Sequence, residues 1–112
     1  MTLKSEVEDR NQNVKGTYII SSNLSNGKPY WLQEFGNQAI WFCKIFNNWK
    51  IGDVSNIGNS SGAKFLTHRG TAVNAPPNKA YPWKQFKNGN WKESKNIIVR
   101  EGIIFGFFYD HD

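Results

Sequence analysis

The sequence has few of the residues that covalent cross-links or membrane spans require. Its 112 residues include one cysteine, Cys43, which excludes an intrachain disulfide. No stretch approaches the roughly 20 apolar residues of a membrane-spanning helix, and the chain starts with a polar, charged stretch in place of an apolar signal segment. These absences predict a soluble protein of the cytoplasm or another intracellular compartment, without membrane insertion.

Side chains that serve catalysis and metal binding are also scarce. Only His68 and His111 could act as bases near neutral pH, and neither belongs to a sequence arrangement typical of a catalytic triad. His111 lies between two aspartates at the chain end, which does not preorganise a metal site. The carboxylates are too scattered to indicate a glycosidase pair, and the glycines do not form a phosphate-binding loop. We therefore predict no enzyme, no catalytic residue, no cofactor and no metal site.

Aromatic residues are abundant by contrast. Five Trp, eight Phe and four Tyr make up 15% of the chain, and each buried ring contributes more apolar area than an aliphatic side chain. The length suits one domain with one core. We expect a single β domain over residues 16–112 with an aromatic core, preceded by a polar, flexible arm over residues 1–15.

Turn signals divide the middle of the chain, and each ends where an aromatic strand begins: Asn26-Gly27, Phe35-Gly36-Asn37 and Asn47-Asn48. Glycine and asparagine tolerate the positive φ that a tight hairpin requires at its centre. The pattern predicts hairpin-linked strands over residues 16–21, 28–33, 38–45 and 49–54.

The second half of the chain continues the pattern with shorter strands. They are predicted over residues 64–67, 83–86, 91–93, 96–100 and 103–109, separated by loops over residues 55–62 and 68–80. Several strands carry large apolar groups on both faces of the pleat, so both faces need cover. The fold predicted is all-β, a small antiparallel meander curled into a sandwich or barrel-like sheet.

Glycine and aromatic motifs run in order through the first half of the chain: Gly16-Thr17-Tyr18, Asn26-Gly27-Lys28-Pro29-Tyr30-Trp31, Trp41-Phe42 and Trp49-Lys50-Ile51-Gly52. This order resembles a poorly characterised aromatic β module of protist and invertebrate proteins, in which a proline pair and a late Trp follow, here Pro76-Pro77 and Trp83 or Trp91. The resemblance covers residues 16–91. It implies a non-catalytic β module, commonly repeated or appended to other domains, with no functional residues to carry over. This chain differs from that pattern, because it contains one copy of the module and an additional apolar tail over residues 97–109.

Positive charge is moderate, +5, and concentrated in the last third of the chain: Lys79, Lys84, Lys87, Lys92, Lys95 and Arg100. Such a stretch attracts anionic partners, and the His68-Arg69-Gly70 segment could contact an anion as well. Lysine also protects strand edges and keeps small domains soluble, and both interpretations stay open.

Three binding functions compete. The favoured hypothesis is a non-enzymatic protein-interaction or structural accessory module that binds another protein or a second copy through the basic last third and an apolar edge over residues 103–108. The alternatives are a lectin-like carbohydrate-binding module and a single-stranded nucleic-acid binder whose rings stack on sugars or bases. The candidate binding surface consists of Trp83, Lys84, Phe86, Lys87, Trp91, Lys92, Phe105 and Phe107. Tryptophan at alternating strand positions is also typical of a core.

Overall fold

The computed structural model describes residues 2–7, 12–94 and 97–102. In these residues nine antiparallel strands form one sheet: Thr2–Val7 (β1), Gly16–Ser25 (β2), Lys28–Gln33 (β3), Gln38–Cys43 (β4), Asn48–Asp53 (β5), Ala63–Thr67 (β6), Trp83–Lys87 (β7), Asn90–Glu93 (β8) and Ile97–Gly102 (β9). The helices described are three short 3-10 helices, Gln12–Val14, Val54–Asn56 and Pro77–Lys79. The all-β fold predicted from the sequence is confirmed.

Strand order follows the chain with one exception. From β1 to β8 each strand pairs with the next, and β9 crosses over to pair with β1, so the order is β8-β7-β6-β5-β4-β3-β2-β1-β9. Within the described residues β8 and β9 are the two edges, although they follow each other in the sequence. The sheet therefore curls into a half-barrel, because the short connection from Glu93 to Ile97 spans at most about 14 Å.

Two predicted hairpins have the backbone conformation that their sequences favour. Asn26 and Gly27 have φ of 56° and 84°, and Asn88 and Gly89 have φ of 52° and 82°. Two successive positive φ angles match the right-handed twist of the flanking strands. After β3 the positive φ, 62°, falls on Phe35 instead of the adjacent glycine.

Gly36 is required for space. A Cβ at this position would lie 2.1 Å from Oε1 of Gln33. That amide donates from Nε2 to the carbonyls of Asn13, at 2.8 Å, and Lys15, at 3.0 Å, and its Oε1 accepts the backbone N–H of Gln38 at 3.0 Å. Gln33 thus ties the segment before β2 to the β3–β4 turn.

One face of the sheet carries the core, and its buried apolar side chains come from eight strands and two loops: Leu3, Val14, Tyr18, Trp31, Ile40, Phe42, Trp49, Ile51, Phe65, Ala72, Ala80, Trp83, Ile97 and Val99. The ring centroids of Trp49 lie 5.9 Å from those of Trp31 and 5.8 Å from those of Phe42. The expected aromatic core therefore lies along β3, β4 and β5.

The start of the chain differs from the predicted arm. Residues 2–7 form β1, which lies inside the sheet between β2 and β9. Leu3 and Ser5 are buried on the core face, whereas Lys4 between them is half-buried on the opposite face. A strand needs apolar groups only on its buried face, so a largely polar segment that buries Leu3 still pairs. The predicted strand over residues 103–109 lies outside the described residues.

Tyr18 is a buried polar group of this core. Its hydroxyl donates to the carbonyl oxygen of Val14 in the segment before β2. Burial raises the pKa of Tyr18 above its usual value of about 10, because the charged phenolate would lose its hydration. The folded protein therefore binds this proton more tightly than the unfolded chain does.

We expect Tyr18→Phe to lower the free energy of unfolding by about 1 kcal/mol at neutral pH, since the buried carbonyl of Val14 loses its donor. The contribution of Tyr18 is complete below pH of about 10 and is lost as the pH rises towards the folded pKa, so the difference between the two proteins should shrink above about pH 10. Urea unfolding across this pH range measures it. Tyr81→Phe, at an exposed position, is the control; an equal effect there, or a difference that does not change with pH, would contradict the assignment.

Candidate binding groove

A groove of 610 Å³ opens on the sheet face opposite the core. We call it the basic aromatic groove, after six of the side chains that line it: Phe46, Lys50, Arg69, Lys84, Phe86 and Trp91. The loop at Ser60, Ser61 and Gly62 borders it as well. Strands β5, β6 and β7 form its floor.

Strand register places the floor residues side by side. Lys50 pairs with Leu66, and Leu66 pairs with Lys84, so these three side chains lie on one face of three adjacent strands. Their neighbours Ile51 and Phe65 point into the core on the other face. Two lysines from distant parts of the sequence therefore flank one apolar residue.

The ring of Phe46 makes cation–π contacts with Arg69 and Lys50. The guanidinium carbon of Arg69 lies 5.0 Å from its ring centroid, and Nζ of Lys50 lies 5.5 Å from it. Both distances are within the range of cation–π attraction. At the other side of the floor, Nζ of Lys84 lies 3.2 Å from Nδ1 of His68.

The electrostatic character of the groove is positive. Among the described residues that line it there is no Asp or Glu, whereas Lys50, Arg69 and Lys84 all line it. Glu93 lies opposite Lys84 in the β7–β8 register and is exposed outside this lining. An anion in the groove would therefore meet attraction from three side chains.

Lys50 is the unusual cation, since it is only 2% exposed. Burial lowers the pKa of Lys50 below its usual range, and the nearby Cys43 thiol opposes this in part. Cys43 is itself a buried free cysteine on β4, in agreement with a packing role. The chain thus keeps an ammonium group at a position where it loses hydration.

Asn48 lies two residues before Lys50 and is 3% exposed. Its Nδ2 donates to the carbonyl of Thr67 at 2.9 Å, which fixes the orientation of the amide. Its Oδ1 is buried and has no hydrogen-bond partner among the residues that the structure describes. Buried polar atoms usually have partners, and of the four side chains with such an unpaired buried atom in the described residues, Asn48 is the one that lines the groove.

Phe86 and Trp91 form the aromatic wall. They face each other in the β7–β8 hairpin, with ring centroids 5.3 Å apart in an edge-to-face arrangement. Phe86 is 53% exposed and Trp91 is 40% exposed. Part of each ring is therefore available to an apolar or planar group of a ligand.

The structure separates the eight residues predicted as a binding surface. It places Lys84, Phe86 and Trp91 in the groove, and Trp83, at 5% exposure, in the core. Lys87 and Lys92 lie on the other face of the hairpin, because they alternate with the groove residues. The two remaining predicted residues, Phe105 and Phe107, lie outside the described part of the chain.

Sequence reasoning missed the other side of the groove. Phe46 and Lys50 flank a turn and a core tryptophan, and nothing local in the sequence indicates their exposure or charge environment. Only Arg69 belongs to a segment, His68-Arg69-Gly70, for which the sequence left anion contact open as one interpretation. Assembly of the groove depends on pairing between strands that are far apart in the sequence.

We expect Lys50→Met to raise the free energy of unfolding at neutral pH, because methionine keeps the aliphatic stem and removes a charge that is desolvated. The folded pKa of Lys50 is lowered, so the unfolded chain binds this proton more tightly and the charged form destabilises the fold below that pKa. The gain should fade above the unfolded pKa of about 10.4, where lysine is neutral in both states. Thermal unfolding at several pH values measures it, with Lys15→Met at an exposed position as the control. A less stable Lys50→Met protein at neutral pH would contradict this account.

Within residues 2–7, 12–94 and 97–102, no group of three or more His, Cys, Asp and Glu side chains is placed to hold a metal ion. None of the helices in those ranges is long and apolar enough to cross a membrane.

Comparison of the chain with protein-family models, with curated proteins and with solved structures finds no match. The resemblance to the aromatic β module therefore stays a prediction.

Proposed function

We propose that this chain is a non-enzymatic interaction module that binds an acidic segment of a partner protein in the basic aromatic groove. The observation that carries the proposal is a concave groove lined by three basic side chains. The groove has a volume of 610 Å³ and is lined by Lys50, Arg69 and Lys84, and its described lining contains no carboxylate. A net charge of +5 adds long-range attraction for an acidic partner.

The apolar part of the groove supports a protein partner. Leu66 separates Lys50 from Lys84 on the floor, and Phe86 and Trp91 form one wall. A peptide that alternates carboxylates with apolar side chains matches this distribution, because its charged groups meet cations while its apolar groups leave water.

The rings are less suited to a nucleic acid. A single-strand binder stacks successive bases on successive aromatic faces. Here Phe46 has Arg69 and Lys50 over its ring, and the edge-to-face contact of Phe86 with Trp91 leaves one paired platform. The partly exposed rings of Phe86 and Trp91 could still stack on a base. An oligonucleotide is therefore included in the test.

The test compares three ligands of equal length by calorimetry: an acetylated and amidated peptide of alternating Glu and Leu, the same peptide with Gln for Glu, and oligothymidylate. We expect the Glu peptide to bind about tenfold or more tightly than the Gln peptide, since hydrogen bonds to charged groups contribute about 1.5–3 kcal/mol each. Tighter binding of oligothymidylate, with an affinity that falls steeply with salt, would replace the proposal with nucleic-acid binding. Equal affinity for both peptides would reject it.

Variants locate the site. Lys84→Gln and Arg69→Gln should each weaken binding of the Glu peptide by about three- to tenfold, because each removes one partly solvated charge contact. Lys15→Gln makes the same change in net charge at an exposed position that does not line the groove. An equal loss of affinity in Lys15→Gln would show that net charge, and not the groove, attracts the peptide.

A further inference from the structure

Two polar side chains on the floor of the basic aromatic groove are almost fully buried: Asn48 has an unpaired acceptor, and the cation of Lys50 contacts an aromatic ring. Oδ1 of Asn48 accepts no hydrogen bond from the described residues, although the side chain is 3% exposed. Lys50 is 2% exposed, and no carboxylate is found in the described lining around it. Each such exception calls for an explanation, because both groups lose hydration on folding.

The two groups are arranged as a pair. Asn48 and Lys50 are two positions apart on β5, so they lie on the same face with Cα atoms roughly 7 Å apart. Asn48 cannot turn its acceptor away, because its Nδ2 is held by the carbonyl of Thr67. The floor therefore presents a fixed acceptor beside a cationic donor.

A ligand that satisfies both must bring an anionic acceptor and a hydrogen-bond donor within one small unit. An Asp or Glu residue in a peptide does so, with its side-chain carboxylate and its own main-chain N–H. A phosphodiester or a sulfate group offers acceptor oxygens alone. Main-chain recognition next to a carboxylate is thus the chemistry that completes this floor.

We infer that the floor recognises one acidic residue of the bound segment, taking its carboxylate on Nζ of Lys50 and its main-chain N–H on Oδ1 of Asn48. The inference rests on the proposed function, and it names the residue type at the deepest point of the groove. Arg69 and Lys84 then serve the remaining charges of the segment. Burial makes the contact to Lys50 stronger than the same contact at the rim.

Proton linkage provides a signature of this contact. Burial lowers the pKa of Lys50 in the free protein, and a bound carboxylate raises it again, because the opposite charge favours the ammonium form. Binding should therefore take up a proton at alkaline pH. Because the pKa of Lys50 is lowered in the free protein, this uptake should begin at a lower pH than uptake by an ordinary exposed lysine, whose pKa a bound carboxylate also raises.

The experiment uses an acetylated and amidated peptide with one Glu between Leu residues, its Gln counterpart, and the Glu peptide methylated on the main-chain nitrogen of that Glu. For the unmodified protein we expect the Gln and the N-methyl peptides each to bind about tenfold or more weakly than the Glu peptide. Calorimetry in buffers of different ionisation enthalpy should show proton uptake at alkaline pH with the Glu peptide alone.

Protein variants then assign each half of the contact. Lys50→Met should abolish the preference for Glu over Gln and the proton uptake, whereas Lys84→Met, at the half-buried position on the other side of Leu66, should keep the proton uptake. Asn48→Ala should bind the Glu and N-methyl peptides equally. If the Asn48 variant does not fold, because it also loses its bond to Thr67, the N-methyl comparison on the unmodified protein decides that half.

The outcomes separate this inference from the proposed function. If the peptide binds, Lys84→Gln weakens it, and Lys50→Met binds as the unmodified protein does, the inference is overturned and the interaction module stands. If the N-methyl peptide binds as tightly as its parent, the main-chain contact is overturned. If no acidic peptide binds, both the proposed function and this inference are rejected. If glucuronic acid binds instead, and its binding depends on Lys50, the floor recognises an acidic sugar and the inference is overturned.

Discussion

Burial of the central strands on both faces is the constraint on which the groove depends. All side chains of β4 are buried, and so are those of β5 up to Gly52. On one face this is the aromatic core, while on the other Trp41 lies beneath the loop after β5, with its Nε1 donating to the carbonyl of Asn59 at 3.0 Å. Gly52 permits this, because a Cβ there would lie 2.9 Å from the carbonyl oxygen of Gly62 and 3.2 Å from the Trp41 ring. The loop thus lies directly on the sheet and borders one end of the groove.

The same double burial places two polar side chains out of water beside the groove. Lys50 and Asn48 occupy the face of β5 that the loop covers further along the strand, where Oδ1 of Asn48 is unpaired among the described residues and Nζ of Lys50 contacts the Phe46 ring. An apolar residue at position 50 would suit the fold better by the local rules of packing. Departures from those rules are expected where a ligand completes the structure.

Local features of the sequence predict much of the fold and little of the groove. Hairpins at Asn26-Gly27 and Asn88-Gly89 follow from backbone sterics that act within four residues. The strand β1 was mistaken for an arm because its stability comes from pairing with β9, almost a hundred positions away. In the same way, Lys50 and Lys84 become neighbours only through Leu66.

The assignment of Trp83 shows the limit most clearly. In β7 both faces carry aromatic and basic side chains, so alternation alone does not decide whether Trp83 or Phe86 faces the core. The decision belongs to β6, where Thr67 pairs with Trp83 and is fully buried. A shift of one residue in this register would exchange the core and groove faces of the whole hairpin.

Phe46 contacts two cations of the groove that differ in their exposure to water. The centroid of its ring lies 5.5 Å from Nζ of the buried Lys50 and 5.0 Å from the guanidinium carbon of the exposed Arg69, so two like charges are both attracted to one π-system. Exposed charges act at long range and set association rates, whereas a desolvated charge acts at contact and sets dissociation rates. In the proposed function, the exposed Arg69 would attract the acidic segment and the buried Lys50 would retain it. A single aromatic side chain in the β4–β5 turn links these two roles.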